Sequence, residues 1–425
     1  MTEDRYDVAV IGAGLAGLAA AASAAEAGRH VLVLDAHRPG GRAAVDVRNG
    51  YRFNRGPRAL YIGGAGSDVL RHFGVRTDTG GAPATDGIML RHRGQLHLQP
   101  TGVASLLRTN LLSTREKAQT ARLLGGLGRI DPAKLTGTTV REWIDGSARG
   151  RVAELVEMLV RVATYSNAPD EMDAGAAAMN VKAAMQSGVQ YLDGGFQSLV
   201  DGLAAAAVGL GVELRTNAGV HRIEPEAGGF RLVGPAGPIV VDSVVVATGG
   251  PDAAAQLLAE RPAAWDGLGP AATVACLELG LRRRPRHAGV FAVDQPLYLN
   301  THCPPADLAP PGGVVVHAMR YQPVGDSMPA DDQHRLLREL AADAGVTDDD
   351  IVEERFLAHM VVTGAIPTAA RGGLAGRPAA EIPGLPGAFV AGDWVGPVGL
   401  LADASLASGA HAGRLAAATS SKVAA

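Results

Sequence analysis

Between an apolar strand and an apolar helix lies Gly12-Ala13-Gly14-Leu15-Ala16-Gly17, and no other stretch constrains the fold as much. Tyr6 to Ile11 reads as a strand, Leu15 to Ala27 as a helix ended by Gly28, and His30 to Leu34 as the next strand, closed by Asp35. Such a strand–helix–strand unit belongs to a parallel sheet. Within it Gly12 permits the tight turn, Gly14 admits a pyrophosphate to the backbone, and Gly17 lets the helix lie close on the sheet. Leu15 and Ala16 open the helix, whose first amides and dipole favour a phosphate. Asp35 stands where a carboxylate, about 20 residues on, accepts hydrogen bonds from an adenosine ribose. The pattern points to a bound dinucleotide.

The rest of the composition narrows the class. A chain of 425 residues exceeds one ordinary core and suits two interleaved domains. Its 47% hydrophobic and 19% charged residues make it globular. A net charge of -4 offers nothing to nucleic acid or an anionic membrane. Cys276 and Cys303 are far apart and in no metal-ligand spacing, so no metal is expected and the thiols fit a reducing cytoplasm. Without a CxxC pair, dithiol–flavin reductase chemistry is excluded. The apolar run Val8 to Ala27 follows Glu3-Asp4 and is broken by Gly12, Gly14 and Gly17. It reads as strand, turn and helix rather than as a signal peptide or membrane span. No integral span is expected, and the location expected is cytoplasmic. The abundance of alanine and glycine, and the scarcity of lysine beside arginine, read as a genomic bias.

Beyond the opening unit, longer amphipathic segments run from Gly63 to about Asn180, with helical signals at Leu106–Leu107, Leu111–Leu112, Ala121 to Leu124 and Val152 to Val162. Short strands return at Val212 to Arg215, Val220 to Ile223, Phe230 to Val233, Ile239–Val240 and Ser243 to Ala247. A second region, about 271 to 375, reads as irregular, with one buried strand at Val314 to Ala318 and one surface helix at Gln333 to Ala342. The end carries a strand at Ala388 to Ala391, a turn at Gly392-Asp393 and a helix from Ala402 to Ala418.

Three further signals favour FAD over NAD. Gly40-Gly41-Arg42 follows Asp35, with two small residues for close passage and a guanidinium fork for phosphates. The strand Ser243 to Ala247 runs into Thr248-Gly249-Gly250, a sheet edge suited to pass beneath a cofactor. Phe389 to Asp393 precedes a helix whose first amides, near Leu401 and Ala402, would stabilise a reduced flavin anion, while Asp393 is placed to bind ribityl hydroxyls. Gly63-Gly64-Ala65-Gly66 and Gly125-Gly126-Leu127-Gly128 follow no strand, so no second nucleotide module is expected.

With these motifs the chain resembles the flavin amine oxidase, phytoene desaturase and protoporphyrinogen oxidase superfamily. The matching stretches are Val10 to Leu18, Gly40-Gly41-Arg42, Asn54-Arg55-Gly56-Pro57-Arg58-Ala59-Leu60 and Val390 through Gly409, roughly half of the chain with the central strands. The resemblance implies an α/β fold in which a Rossmann-type FAD-binding domain (1–61, 191–270 and 376–425) is interleaved with a mixed α+β substrate domain (62–190 and 271–375). It implies that Gly56, Pro57, Arg58 and Ala59 run beside the isoalloxazine. The cofactor set then also takes in Ala36, Val220, Ala247, Gly392 and Leu400. Tyr165, Tyr191, His302 and Trp394 are the candidates to line the substrate.

The departures from the family matter as much. Amine oxidases of this superfamily carry a lysine on a substrate-domain strand, and the second substrate segment here has none. Lys182, in the first, reads as a solvated helix residue, and aromatic residues total only 4%. The expected activity is therefore hydride removal from a C–H of a fairly apolar small molecule, as in desaturases, with oxygen or a quinone-type acceptor. A flavin amine oxidase, a non-redox flavin isomerase and a non-catalytic flavin-binding protein are the alternatives.

Overall fold

A computed structural model describes residues 5–235 and 237–423 of the chain. Its strands form two large sheets. In the first, the order is Arg222–Glu226, Gly229–Val233, Ile239–Val246, Tyr6–Ile11, Val31–Leu34 and Glu213–Arg215, with Ala388–Val390 also paired to Ile239–Val246. The strands contributed by Tyr6–Ile11, Val31–Leu34, Ile239–Val246, Glu213–Arg215 and Ala388–Val390 are mutually parallel, and Gly229–Val233 pairs antiparallel with both Ile239–Val246 and Arg222–Glu226. Register aligns their ends: Ile11 pairs with Val246 and Leu34, and Val246 with Val390. Gly12, Asp35, Ala247 and Ala391 thus all leave the sheet from one edge. In open parallel sheets that carboxyl edge is where ligands sit.

The helix Leu15–Glu26 is buried from Leu15 through Ala25, with no solvated stripe. It lies against the sheet and is crossed by the C-terminal helix Leu401–Val423. There a Cβ on Gly409 would run into the Ala16 carbonyl, and one on Gly413 into the Ala20 carbonyl. Small residues here let two helix backbones touch. The alanine and glycine of these two helices, read above as compositional bias, are a packing requirement.

The second sheet runs Ile351–Thr363, Ala272–Leu281, Val314–Tyr321, Leu297–Cys303, Gly289–Ala292, Ile88–His92 and Gln95–Leu98. All neighbours are antiparallel except Gly289–Ala292 with Ile88–His92. The helix Ala330–Asp343 packs Leu337, Leu340 and Ala341 on one face. The other face meets Leu111, Leu155 and Met158 from the helical region. That region holds Thr114–Leu127, Val140–Ser147, Arg151–Thr164 and Ala174–Ser187.

The expectation of an irregular stretch over 271–375 is corrected: it contributes five strands of this sheet. Every residue of Leu297–Cys303 and of Val314–Tyr321 is buried, so neither strand shows the alternation that betrays a half-buried one. Ile351–Thr363 carries Glu353, Glu354 and Arg355 on an edge and so reads as polar. Ile239–Val246 is likewise one strand where two were expected.

Candidate active site

One cavity of about 430 Å³ opens along the carboxyl edge of the first sheet. Its size suits a cofactor or a cofactor with a small ligand. At one end is the glycine turn. Gly12 has φ +107°, and a Cβ there would stand 2.5 Å from the Ala247 carbonyl, so only glycine makes this turn. Gly17 faces inward, where a Cβ would strike the Gly12 carbonyl. Gly14 differs: the nearest atom to its missing Cβ is the Gly40 carbonyl at 4.0 Å, and the residue lines the cavity. The open space over Gly14 is a cradle that a side chain would fill. Leu15 and Ala16 line it too, and their amides, in the first turn of a helix, have no intrahelical partner.

Asp35 lines the same end with Ala36. Its Oδ2 accepts the Ala13 N–H and its Oδ1 the His37 N–H, each at 2.7 Å, so the carboxylate is locked in place. Ala13 itself is buried behind the turn. Val220, Ala247, Thr248 and Gly249 form the floor. Thr248 Oγ1 and, further along, Arg58 Nε are buried and have no hydrogen-bond partner among the described residues. Native interiors rarely leave such atoms unpaired, so both fit a ligand that supplies the missing partners.

In the middle, Gly41 and Arg42 face Gly392 and Asp393 across the cavity. The Arg42 guanidinium donates to Asp393 Oδ2 at 2.6 Å and to the Val362 carbonyl at 2.8 Å. Asp393 is 2% exposed and accepts the Gly364 N–H through Oδ1. Burial works against the charge on Arg42, and the Asp393 carboxylate outweighs it, holding the guanidinium above its ordinary value. The fork expected to stand ready for phosphates is thus closed on a carboxylate.

Pro57, Arg58, Ala59, Tyr61, Tyr165, Leu401 and Ala402 line the far end, which is drawn from both sheets' surroundings. Arg58 donates to the carbonyls of Arg42 and Arg55 and pairs with no carboxylate among the described residues. Burial first, and then the charge of Arg42, push its guanidinium below the ordinary value. Tyr61 donates its hydroxyl to the Ala163 carbonyl at 2.7 Å. Tyr165 caps the helix Arg151–Thr164 with φ +57°, and Leu401 has φ +56°, conformations L-residues adopt at a cost. Two of the chain's few strained non-glycine residues therefore face this cavity, as strained backbone tends to at functional sites.

Several expected residues sit behind the wall rather than on it. Gly56 donates its N–H to the buried Glu278 at 2.7 Å, and Leu400 is buried in the helical core. Trp394 is 1% exposed, donates Nε1 to the Gly249 carbonyl and meets Trp265 edge to face, so it packs under the sheet. Tyr191 and His302 are stacked on each other in the second sheet's core at 3.9 Å, neither reaching the cavity. Burial, and then the neighbouring His317, push the His302 imidazole well below its ordinary value, so it is neutral. Of the four substrate-lining candidates only Tyr165 lines the cavity. Lining residues outside the expected set include Tyr61, Phe196 and Asp403. Tyr61 directly follows the Asn54–Leu60 motif, a signal the sequence did carry. Lys182 lies elsewhere, on the helix Ala174–Ser187, with Nζ donating to the Ile130 carbonyl at 3.3 Å.

Fold and cavity together define a protein of mixed α/β architecture with one long cleft along the carboxyl edge of its first sheet. Residues 15–416 match the model of the flavin containing amine oxidoreductases, and the chain belongs to that family. The proteins of that family are flavin-containing oxidoreductases. A provisionally named flavin-containing monoamine oxidase, AofH, of Mycobacterium tuberculosis is 29% identical over 265 residues, 57% of this chain and 56% of that one. The match thus spans little more than half of that relative. Among solved structures, a provisionally named protoporphyrinogen oxidase from Exiguobacterium sp. superposes with a TM-score of 0.72 at 19% identity, covering 97% of this chain and 98% of that one. Cyclohexylamine oxidase from Brevibacterium oxydans does so at 0.69 and 18%, covering 99% and 100%. At such identities these two likenesses concern the fold. Among the described residues no helix is long and apolar enough to cross a membrane, and no group of three or more metal-type ligands occurs.

Proposed function

We propose that the cavity holds FAD with its phosphates at the Gly12–Gly17 turn and its ring beside Arg58, and that the enzyme dehydrogenates a C–H bond of a fairly apolar small molecule. In this reading the first sheet and its helices, 1–61, 191–270 and 376–425, form a Rossmann-type cofactor domain. Segments 62–190 and 271–375 close the substrate end. When bound, FAD supplies the hydride acceptor, and oxygen or a quinone-type compound takes the electrons onward. The chain's residues position, exclude water and hold charge. The Gly14, Leu15 and Ala16 amides face a phosphate and Asp35 a ribose. Arg42 and Asp393 would hold the cofactor's middle with the donors and acceptor that their own pair leaves free. Tyr61 and Tyr165 wall off the reacting end.

The observation that carries the choice of substrate is the lining of that end. No lysine is among the cavity's described residues; Arg58, which pairs with no carboxylate among the described residues, acts on Tyr165, and Asp403 lies by Tyr61. A guanidinium there repels an alkylammonium and tolerates a neutral hydrocarbon. The family and AofH favour a second reading, an amine oxidase. Anaerobic mixing with amines, polyenes and tetrapyrrole precursors decides between them. Bleaching of the flavin by polyenes or tetrapyrrole precursors is expected. Bleaching by amines alone would replace this reading with the second, and turnover without net bleaching would make the enzyme an isomerase.

A further inference from the structure

Asp403 lies in the first turn of the C-terminal helix Leu401–Val423 and lines the cavity beside Ala402 and Ser405. The chain makes room for its carboxylate with glycine. A Cβ on Gly64 would run into Oδ2, one on Gly66 would lie 2.5 Å from Oδ1, and one on Gly399 would lie 2.8 Å from the Asp403 Cβ. Oδ1 accepts the Gly66 N–H at 2.9 Å, and Oδ2 accepts no hydrogen bond among the described residues. The cavity's other two carboxylates are compensated: Asp35 by two N–H groups, Asp393 by Arg42 and the Gly364 N–H. Asp403 has no cation beside it among the described residues.

The groups around it sharpen the contrast. Asp68, on the helix Ala65–His72, adds a like charge, and Tyr61 faces it from the strand Leu60–Tyr61. Across the 392–400 turn, Asp393 is spent on Arg42, and Arg377 donates to the Gly399 carbonyl at 2.9 Å. Burial, with the charge of Asp68 adding and the Gly66 N–H opposing, pushes the Asp403 carboxyl up to about 6. A further negative charge in the same cavity raises it again, because like charges in a poorly solvated site favour the neutral form.

We propose that Asp403 is a proton-holding residue of the cofactor site, taking up a proton from solvent when the bound FAD is reduced and returning it on reoxidation. The balance is simple. Two electrons and one proton enter the cofactor from the reductant, leaving one added negative charge. The second proton comes from solvent, binds the Asp403 carboxylate and cancels that charge. Well below pH 6 the carboxyl is already protonated and takes up little; as the pH rises past it, reduction draws more of the extra proton.

Potentiometric titration of the FAD-loaded enzyme tests this without any substrate, so its outcome is independent of the substrate reading above. A two-electron couple moves about 30 mV per tenfold change in proton concentration for each proton taken up. Above pH 6 the wild-type slope should steepen past about 30 mV per unit towards about 59 mV, two protons' worth, and that of Asp403→Asn should stay at about 30 mV. Asp403→Ser, which keeps an acceptor for the Gly66 N–H, should match the Asn variant. A residue that merely braces the fold would change cofactor affinity and leave the slope alone, so equal slopes in all three proteins overturn the proposal. If neither variant retains FAD, the wild type alone decides. Its reduced-minus-oxidised infrared difference spectrum at neutral pH should gain the C=O band of a protonated carboxyl, and a spectrum without that band overturns the proposal.

Discussion

The edge of the first sheet and the interior of the second handle buried polarity in opposite ways. At the first, Gly12, Asp35, Ala247 and Ala391 follow directly from strand ends in register, and the polar groups are backbone amides turned into a cavity. In the second, polar side chains are sealed among strands. Glu278 is fully buried, accepts the Gly56 N–H, and has His317 at 3.3 Å and Arg355 at 3.3 Å; Arg355 in turn reaches Asp46 at 2.8 Å. His302 and His317 meet edge to face at 4.4 Å. One region is built to accept a ligand, and the other to brace, through Gly56, the segment that lines the ligand's cavity.

The sharpest way to break that contrast is to put the same side chain at two glycines of one turn. Gly14→Val should fold, since the nearest atom to the new Cβ is at 4.0 Å, yet it fills the cradle and should yield a colourless protein. Gly17→Val drives a Cβ into the Gly12 carbonyl and should fail to fold at all. Flavin absorbance and near-ultraviolet circular dichroism read the two outcomes separately. A Gly14→Val protein with stoichiometric FAD would show that the phosphates lie elsewhere.

The second region is tested next by Glu278→Ala, which strips a buried partner from Arg355 and from the Gly56 N–H. Arg355 keeps Asp46, so the cost is chiefly that of the buried Gly56 N–H left unsatisfied, about 1–3 kcal/mol. The melting temperature should fall accordingly, and FAD should be held less tightly because Gly56 carries Pro57 and Arg58 to the cavity. An unchanged melting temperature would mean that the cluster is not a brace.

This contrast also explains what was legible in advance. The opening unit, the strand into Thr248 and the turn at Gly392-Asp393 are local: each residue's role follows from neighbours within a few positions. The second sheet is not. Leu297–Cys303 and Val314–Tyr321 are buried on both faces, and their pairing spans distant parts of the chain. Tyr191 and His302 looked like cavity residues because they are aromatic or titratable near the right segments. Only the tertiary packing, which seats His302 within the strand Leu297–Cys303 and Tyr191 against it, separates them from Tyr165. Asp403 escaped notice because nothing near it in sequence marks a carboxylate enclosed by Gly64 and Gly66 of a distant helix start.

The next effect is expected at the seam between the regions. Asp393→Ala removes the acceptor of Arg42 and of the Gly364 N–H. One lost charge-assisted hydrogen bond is worth about 1.5–3 kcal/mol, or about 10- to 100-fold in the FAD dissociation constant at about 1.4 kcal/mol per tenfold. Titration of the apoprotein with FAD measures it. Asp393→Asn, which keeps an acceptor, should lose less, and equal losses in both variants would mean that charge pairing, not hydrogen bonding, holds the site.

The smallest effect should come from Lys182→Met, and its smallness is informative. A lysine that moved protons at the flavin would have to face the cavity, and none of the described lining residues is a lysine. Lys182 instead caps the Ile130 carbonyl from the helix Ala174–Ser187. Losing that bond costs about 1 kcal/mol of local stability, the net worth of an ordinary hydrogen bond. The rate of anaerobic flavin reduction, followed by stopped flow with a substrate that bleaches the wild type, should therefore stay within about twofold, since no general catalyst has been touched. Removing a true general acid or base costs about 100-fold or more. A drop of that size would place Lys182 in the chemistry, and the amine-oxidase reading would then displace dehydrogenation of a neutral C–H bond.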